Sequence, residues 1–369
     1  MTIFYYFKEM QTPMYQWQRT NFIDELERNG HKIITFNPLN YRNVEEANEK
    51  VLIEVGLVKN IDLFMTCDDQ DVIYPETISS INQKGIPTCL ICWDNLEVPY
   101  KQKKIAPLFD IIWLTSRETQ YLFEKWGCKN IIYQTYAANP HTYKAYNDGV
   151  QINSVGFIGS PYGSRVNVIN ELILDRIPCR VYSDSLFVKG YNSSINGKKE
   201  IDVTDLTVKA LRYLKFSIGR KVLYSTIINK LRKNVRLNVD SEYFEKCYSV
   251  SDTEMCKLYS EMALSLNISA LRDTYILKTP IPKVHLRTFE IPMCGGLQFT
   301  QFFPEITEYF ENDKEIILFN SREEMIDKAK YYLDPKNESE VKQMKKAARV
   351  RAEKDHTWIT RFNRVFNSL

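Results

Sequence analysis

The stretch VGFIGSPYGSR, residues 155–165, joins a run of β-branched and aromatic residues to a turn of small residues, and a helical pattern follows it. This order of strand, turn and helix indicates an α/β unit. Gly159, Ser160 and Gly163 are small enough for backbone amides to approach a diphosphate at the helix N-terminus, and Arg165 adds positive charge. The spacing matches neither a Walker loop nor a GxGxxG fingerprint, so an ordinary strand-to-helix turn explains this stretch equally well.

The alternation of strand and helix patterns continues to the end of the chain. Strands are predicted at residues 154–158, 179–182, 264–268 and 297–300, and helices at residues 166–174, 252–262, 286–294 and 338–366. A polar stretch without either period, residues 143–153, precedes this half of the chain. The pattern predicts a second domain over residues 150–350.

Six strand-like runs joined by helical stretches fill the first part of the chain, at residues 2–7, 31–36, 62–66, 88–93, 111–115 and 130–134. They predict a Rossmann-like domain over residues 1–145. We therefore assign the chain to the α/β class, with two Rossmann-like domains facing an interdomain cleft in which a ligand binds. Residues 351–369 are expected to form a C-terminal helix that packs back toward the N-terminal domain.

Composition is that of an ordinary folded protein, with 44% hydrophobic and 26% charged residues, so disorder, collagen and coiled coil are excluded for the chain as a whole. The formal net charge of +3 is too small to indicate a nucleic-acid binder, and no nucleic-acid partner is expected. Nine basic residues and no acidic one lie between Leu206 and Val239, however, so the remainder of the chain is net acidic.

This basic stretch lies in a predicted insertion, residues 186–246 of the second domain. From Leu206 through Lys233 it has apolar residues near i, i+3, i+4 and i+7 with cations between them, which predicts a basic amphipathic helix, although Gly219 weakens its continuity. Two interpretations stay open. Residues 206–236 lie on an anionic membrane surface and present a lipid-linked acceptor, or the apolar face packs on the second domain and the charges face water.

A second motif, LRTFEIPMCGGLQFT, spans residues 286–300. Arg287 and Glu290 stand at i and i+3 on one helical face. A glutamate between Phe289 and Ile291 is too costly to bury without hydrogen-bond partners, such as the hydroxyls of a ribose. The alternative for the two charges is an i, i+3 ion pair that caps a core helix.

The chain shows neither a signal-peptide pattern nor a transmembrane-length apolar run, so we expect a cytoplasmic protein, with peripheral binding to the inner face of the membrane as the open alternative. The eight cysteines are scattered, and we expect buried free thiols rather than a zinc site. Asp69 and Asp71 form a D-x-D, a spacing that arises often by chance, and we expect no bound metal.

Taken together in this order, several segments resemble a known family. They are VGFIGSPYGSR, SVSDTEMCKLYSEMALSLNIS (residues 249–269), LRTFEIPMCGGLQFT, EYFENDKEIILFNSREEMIDKAKYYL (residues 308–333) and KDHTWITRFNRVF (residues 354–366). The chain resembles GT-B glycosyltransferases of the group that includes the spore maturation protein CgeB and its glycosyltransferase family 1-like relatives. The N-terminal half is similar more weakly, through CWDNLEVPY, FDIIWLTSRE and TYAANPHTY, as expected where acceptor domains vary.

The resemblance implies a transferase whose nucleotide-sugar donor binds to the C-terminal domain. Carried over by position, Glu290 would hold the ribose hydroxyls and Arg287 the diphosphate. Gly159, Ser160 and Arg165 would form the loop on the phosphate side. The nucleotide sugar is a co-substrate, and no other cofactor is expected.

Val250 and Met255 would, by the same resemblance, lie near the base. Related retaining enzymes often carry a second glutamate eight positions before the equivalent of Glu290, where this chain has Pro282, so the stereochemical course stays open. If the reaction inverts, Asp94 is the candidate base, because it follows a predicted strand at the edge that faces the cleft. A structural role in the strand-to-loop turn is the alternative for Asp94.

The sequence therefore predicts a metal-independent glycosyltransferase acting on a glycan, a lipid-linked or a protein acceptor. The alternative is a catalytically silent relative that binds carbohydrate or assembles a coat. Arg287, Glu290 and the glycine loop favour the enzyme, because a scaffold has no need of charged groups at these positions.

Overall fold

The computed structural model describes residues 1–10, 13–146, 149–188, 203–232 and 235–369. These residues form two compact units, Met1–Tyr136 with Trp358–Leu369, and Ala137–Thr357. The boundary after residue 145 was thus placed too late, since residues 137–145 belong to the second unit. Tyr143 links this segment to the second unit, because its side chain is buried and hydrogen-bonded to Glu290.

The first unit contains a six-stranded parallel sheet in the order β2-β1-β3-β4-β5-β6. Its strands are β1 Thr2–Tyr6, β2 Lys32–Phe36, β3 Leu63–Thr66, β4 Thr88–Cys92, β5 Ile111–Leu114 and β6 Ile131–Tyr133. All six lie where buried apolar runs predicted them. The chain leaves β1 in one direction and returns to its other side at β3, so the topological switch point lies between β1 and β3.

The helices of the first unit are α1 Pro13–Gln18, α2 Asp24–Arg28, α3 Val44–Leu57, α4 Pro75–Gln83 and α5 Gln120–Lys125. A π-helical segment, Arg19–Ile23, joins α1 to α2. Aromatic rings fill one face of the sheet, where Phe4 stacks on Phe64 with ring centroids 5.7 Å apart. This packing fixes the strand ends that carry the polar residues described below.

The second unit contains another parallel sheet of six strands, in the order β12-β11-β10-β7-β8-β9. Its strands are β7 Ile152–Ile158, β8 Cys179–Tyr182, β9 Phe244–Cys247, β10 Met262–Asn267, β11 Gln298–Gln301 and β12 Ile317–Phe319. The two edge strands, β9 and β12, were not predicted. Strand β9 carries exposed charges at Glu245 and Lys246 and therefore shows no buried apolar run, whereas β12 is apolar and buried but only three residues long. The insertion predicted to end at residue 246 therefore ends before β9.

The helices of this second unit are α6 Ser164–Leu174, α7 Val203–Leu214, α8 Ser217–Leu231, α9 Asp252–Glu261, α10 Arg287–Met293, α11 Arg322–Leu333 and α12 Glu338–Asp355. The single basic helix predicted from residue 206 to 233 was wrong, because the structure has two helices, α7 and α8. A Cβ added at Gly219 would lie 2.3 Å from the carbonyl oxygen of Tyr213. Glycine therefore allows α8 to pack closely against the end of α7. Lys233 lies outside the described residues.

The predicted helix over residues 338–366 was also wrong in its continuity. It is divided into α12 and α13, Trp358–Phe366, and His356 adopts a non-helical conformation between them. α13 belongs to the first unit, where the Trp358 ring packs 4.8 Å from Phe22 and 5.2 Å from Trp17. Among the helices that the structure describes, none has the length and apolar character needed to cross a bilayer.

Candidate functional site

The glycine loop after β7 lies against the first residue of α10. Gly159 has a φ of +136°, and a Cβ built on it would lie 2.6 Å from an Nη atom of Arg287. A side chain at position 159 is thus disfavoured both by the backbone conformation and by the guanidinium. The two motifs that the sequence singled out separately, 155–165 and 286–300, are brought into contact at the carboxyl edge of the second sheet.

Several cations converge beside this loop. Arg165, in the first turn of α6, donates from Nη1 to the carbonyl oxygen of Ser160 at 2.9 Å, and its guanidinium lies 4.4 Å from the Tyr162 ring centroid. The pKa of the His285 imidazole is lowered to about 3, mainly by burial and further by the nearby charges of Lys283, Arg165 and Arg287. The imidazole is therefore neutral at pH 7. The positive potential around it is suited to a diphosphate.

Glu290 lies one turn after Arg287 on α10 and is 8% exposed. Burial raises the pKa of its carboxyl, while a hydrogen bond from Tyr143 and the charge of Arg287 act in the opposite direction. The Tyr143 hydroxyl donates to Oε1 at 2.8 Å. Burial and the neighbouring carboxylate raise the pKa of Tyr143, so it remains a hydrogen-bond donor. Glu290 thus has the polar partner that its burial requires, and Tyr143 supplies it.

The position of α10 is fixed by its buried side. Phe289, Ile291 and Met293 are fully buried, and the Thr288 hydroxyl accepts a hydrogen bond from Asn267, at the end of β10, at 3.2 Å. Gly295 ends the helix with a φ of +72°. These contacts hold the polar side of the helix, with Arg287 and Glu290, beside the glycine loop.

Helix α9 adds a third side to the site. Ser251 caps its N-terminus and forms a capping box with Glu254. Burial raises the pKa of the Glu290 carboxyl, and the charge of Asp252 in the first turn of α9 adds to that effect. Val250 and Met255 are half-buried at this end of the helix. Contact of Val250 and Met255 with the nucleobase of the donor remains a prediction.

The first unit carries its own polar groups at the carboxyl edge of its sheet. Asp94 is exposed beyond the end of β4, and its carbonyl oxygen accepts hydrogen bonds from the backbone N–H groups of Glu97 and Val98 in a turn. The placement after β4 is as expected from the sequence. Its role as a base remains a prediction.

Asp68 is a residue that sequence reasoning missed. It follows β3 at the switch point, and its Oδ2 accepts a hydrogen bond at 2.8 Å from the backbone N–H of Lys8, which follows β1. Burial raises the pKa of Asp68 to about 7, with a smaller contribution from the charge of Asp69. The sequence signal for Asp68 was an acidic residue directly after a predicted strand. The strand order is needed as well, because it alone shows that this strand lies beside β1 at the switch point.

In the D-x-D motif, the carboxylate of Asp69 is engaged in contacts within the protein. One oxygen of Asp69 pairs with the ammonium of Lys101 at 2.8 Å, and the other accepts from the backbone N–H of Asp71 at 2.9 Å. Within the described ranges no group of three histidine, cysteine or acidic side chains is arranged to hold a metal ion. Metal independence of the reaction remains a prediction.

With this geometry established, the chain can be compared with known proteins. Residues 220–367 match the model of the glycosyl transferase-like family. A sequence search of curated proteins finds no match.

Solved structures are similar to the chain over its whole length. HepE from Anabaena, in complex with UDP, is 12% identical with a TM-score of 0.58, and each chain is covered to 100%. An alpha-glucosyltransferase in complex with UDP and a 13-mer DNA is 13% identical with a TM-score of 0.59, covering 100% of this chain and 99% of that one. A glycosyltransferase from Rickettsia africae is 11% identical with a TM-score of 0.56, covering 99% and 97%.

These findings confirm the predicted fold, GT-B with two Rossmann-like domains, and the resemblance to glycosyltransferases. The narrower assignment to the CgeB-like group remains a prediction. The expectation that nucleic acid is not a partner also remains a prediction.

Proposed function

We propose that this protein is a glycosyltransferase whose nucleotide-sugar donor binds on the second unit, between the glycine loop, α9 and α10. The observation that carries the proposal is the approach of Gly159 to Arg287, one helical turn from the buried carboxyl of Glu290. This arrangement offers a cationic pocket for a diphosphate beside a carboxylate for a diol. UDP is the first nucleotide to test, because two similar structures are complexes with it.

The chemical task is to stabilise the negative charge of a departing diphosphate. Arg287, Arg165 and the N-terminus of α6 supply fixed positive charge where the phosphates would lie. Charges held in place before the reaction need no reorganisation during it, which lowers the barrier. The neutral imidazole of His285 can donate or accept a hydrogen bond there without adding charge.

Glu290 would bind the ribose. Tyr143 occupies Oε1, so the second carboxylate oxygen can accept from one ribose hydroxyl while Tyr143 holds the side chain in place. Binding of both hydroxyls is compatible with the Tyr143 hydrogen bond, because each carboxylate oxygen can accept more than one. Whether the acceptor is deprotonated by Asp94, by Asp68 or by the departing phosphate depends on the stereochemical course, which the product anomer reports.

The direct test is isothermal titration of the full chain with UDP, GDP and ADP and their glucose conjugates, followed by product analysis with the donor that binds. We expect micromolar binding of one nucleotide and slow hydrolysis of its sugar conjugate in the absence of acceptor. Binding of oligosaccharide without binding of any nucleotide would instead support the alternative, a catalytically silent relative that binds carbohydrate. EDTA in the same assay tests metal independence, and loss of transfer restored by Mg²⁺ or Mn²⁺ would contradict it.

We further propose that helix α8 binds an anionic lipid bilayer and brings the enzyme to a lipid-linked acceptor. On α8, Gly219, Val222 and Ser225 are buried, whereas the opposite side exposes a stripe of large apolar residues. The stripe consists of Tyr224, Ile227 and Leu231, which are 59%, 51% and 79% exposed.

Exposed cations flank this stripe at Arg220, Lys221, Lys230 and Arg232, and no acidic residue lies between residues 206 and 239. An apolar stripe flanked by cations is complementary to an anionic bilayer rather than to the wholly polar backbone of a nucleic acid. The interpretation in which the insertion only packs on the second domain accounts for the buried side of α8. It does not account for the exposed apolar stripe.

Co-sedimentation with vesicles of phosphatidylcholine and phosphatidylglycerol tests this surface. Each cation contributes about 1 kcal/mol near an anionic surface, so changing the four flanking cations to Glu should abolish binding. The matched control changes four exposed lysines of the first unit, Lys59, Lys84, Lys125 and Lys129, to Glu and should retain it. Absence of vesicle binding at low salt, or equal loss in both variants, would contradict the proposal. Salt-sensitive binding to duplex DNA without vesicle binding would assign the patch to nucleic acid.

A further inference from the structure

Two free cysteines face each other behind the proposed donor site. The Sγ atoms of Cys256, on α9, and Cys294, at the end of α10, are 3.3 Å apart, and the Cys294 thiol is oriented to donate to Cys256. Both residues are buried, at 1% and 0% exposure. The contact joins the two helices that carry Met255 and Glu290.

The pair is chemically distinct from the other thiols of the chain. The hydrogen bond from Cys294 lowers the pKa of Cys256, whereas burial raises the pKa of each of the other seven cysteines, Cys67, Cys89, Cys92, Cys128, Cys179, Cys247 and Cys294. The thiolate is the nucleophile in thiol oxidation. Of the two thiols Cys256 is therefore the one that deprotonates more readily, and the Cys294 sulfur lies 3.3 Å from it.

We propose that Cys256 and Cys294 form an oxidative modification site that hydrogen peroxide converts to a disulfide. The Cys256 thiolate attacks one peroxide oxygen, the O–O bond breaks, and the departing hydroxide takes a proton to become water. The Cys294 sulfur then attacks the resulting sulfenic acid, the S–S bond forms as the S–O bond breaks, and the thiol proton leaves with hydroxide as a second water. The two thiols lose two electrons and two protons, and the peroxide is reduced to two waters.

The consequence for the site follows from the geometry of α10. A disulfide has an S–S length of about 2.05 Å, so the two sulfurs must approach each other by more than an ångström. The backbone N–H of Cys294 donates to the carbonyl oxygen of Glu290 at 2.9 Å, and the Ser260 hydroxyl of α9 donates to the carbonyl oxygen of Cys294 at 2.5 Å. A shift of Cys294 would therefore disturb the carboxyl end of α10, one turn after Glu290. Resting on the proposed function, we infer that oxidation weakens nucleotide binding.

The first experiment maps the disulfide without any substitution. The reduced full chain is treated with hydrogen peroxide, alkylated, digested and analysed by mass spectrometry. We expect loss of two thiols and a cross-linked peptide pair joining Cys256 to Cys294, reversed by dithiothreitol. Cys294→Ser should instead leave a sulfenic acid on Cys256 that dimedone traps, and the matched control Cys128→Ser should form the same disulfide as the parent. Disulfides elsewhere, or random oxidation among the cysteines, would overturn the site.

The second experiment measures UDP affinity of the reduced, oxidised and re-reduced chain. Loss of one hydrogen bond to the Glu290 carboxylate corresponds to a fall in affinity of about tenfold or more, and dithiothreitol should restore it. An unchanged affinity in the fully disulfide-bonded protein would contradict the coupling to the site. A protein that forms the disulfide but binds no nucleotide when reduced would contradict the proposed function and leave the modification site standing.

Discussion

Replacing Glu290 by Ala should remove most of the affinity for UDP. A hydrogen bond to a charged group contributes about 1.5–3 kcal/mol, so loss of one bond, with the other oxygen held by Tyr143, costs about 1.5–3 kcal/mol and loss of two costs about 3–6 kcal/mol. The dissociation constant should therefore rise by about tenfold at the least. Isothermal titration of parent and variant measures this change directly.

The ligand provides the control for this measurement. 2′,3′-Dideoxy-UDP lacks the hydroxyls that Glu290 would bind, so the parent and the Glu290→Ala variant should bind this analogue with similar affinity. Tyr143→Phe keeps the carboxylate and removes only its internal partner, so UDP binding should fall less than in Glu290→Ala. Equal losses for UDP and the dideoxy analogue would refute the ribose assignment, because they would indicate a general disturbance of the unit.

Three further predictions follow from named contacts. Gly159→Ala should lose UDP binding, because the added Cβ meets the guanidinium of Arg287. The control Gly30→Ala is also at positive φ (+83°) but has nothing within 4 Å, so it should lower stability without loss of binding. Equal binding in both variants would contradict the placement of the loop. His285, with its pKa lowered to about 3 in the folded state against about 6.5 unfolded, takes up its proton more readily when unfolded, so its contribution to stability is lost as pH falls. From pH 7 to 5 the parent should lose about 2 kcal/mol more unfolding free energy than His285→Asn in urea titrations, and parallel pH profiles would count against the buried, neutral imidazole. If the product is inverted, either Asp68→Asn or Asp94→Asn should lower kcat by about 10²–10⁴ with little change in donor affinity; an inverted product with both variants fully active would exclude both residues as the base.

Local patterns were sufficient for much of this architecture and for the two motifs of the proposed donor site. Gly159, Arg287 and Glu290 stand in segments whose periodicity marks a strand, a turn and a helix, so their positions at the carboxyl edge follow from the fold class. The buried strands were found for the same reason. Their apolar runs are required by a parallel sheet that is covered on both faces.

Tyr143 and Asp68 show what local patterns cannot supply. Tyr143 meets Glu290 across 147 positions of sequence, and Asp68 meets the backbone of Lys8 across 60. Each pairing depends on which strands and loops become neighbours, and a stretch of sequence holds no signal for that choice. The domain boundary was misplaced for the same reason, since the polar composition of residues 143–153 did not reveal that Tyr143 is anchored in the second unit.

The divided helices show a different limit. Gly219 was recognised as unfavourable for a continuous helix, but its packing against the carbonyl oxygen of Tyr213 is a tertiary contact. The break at His356 likewise lies where the chain passes from the second unit to the first, between the buried residues Ala352 and Trp358. Amphipathic periodicity runs across both breaks and therefore predicted single helices.

A crystal structure of the full chain grown with UDP tests the central claim most directly. The account predicts that the ribose hydroxyls lie within hydrogen-bonding distance of the Glu290 carboxylate and that the diphosphate lies between Arg287 and the amides after Gly159, with the base toward Val250 and Met255. UDP bound elsewhere on the chain, or bound here with its ribose away from Glu290, would contradict the account.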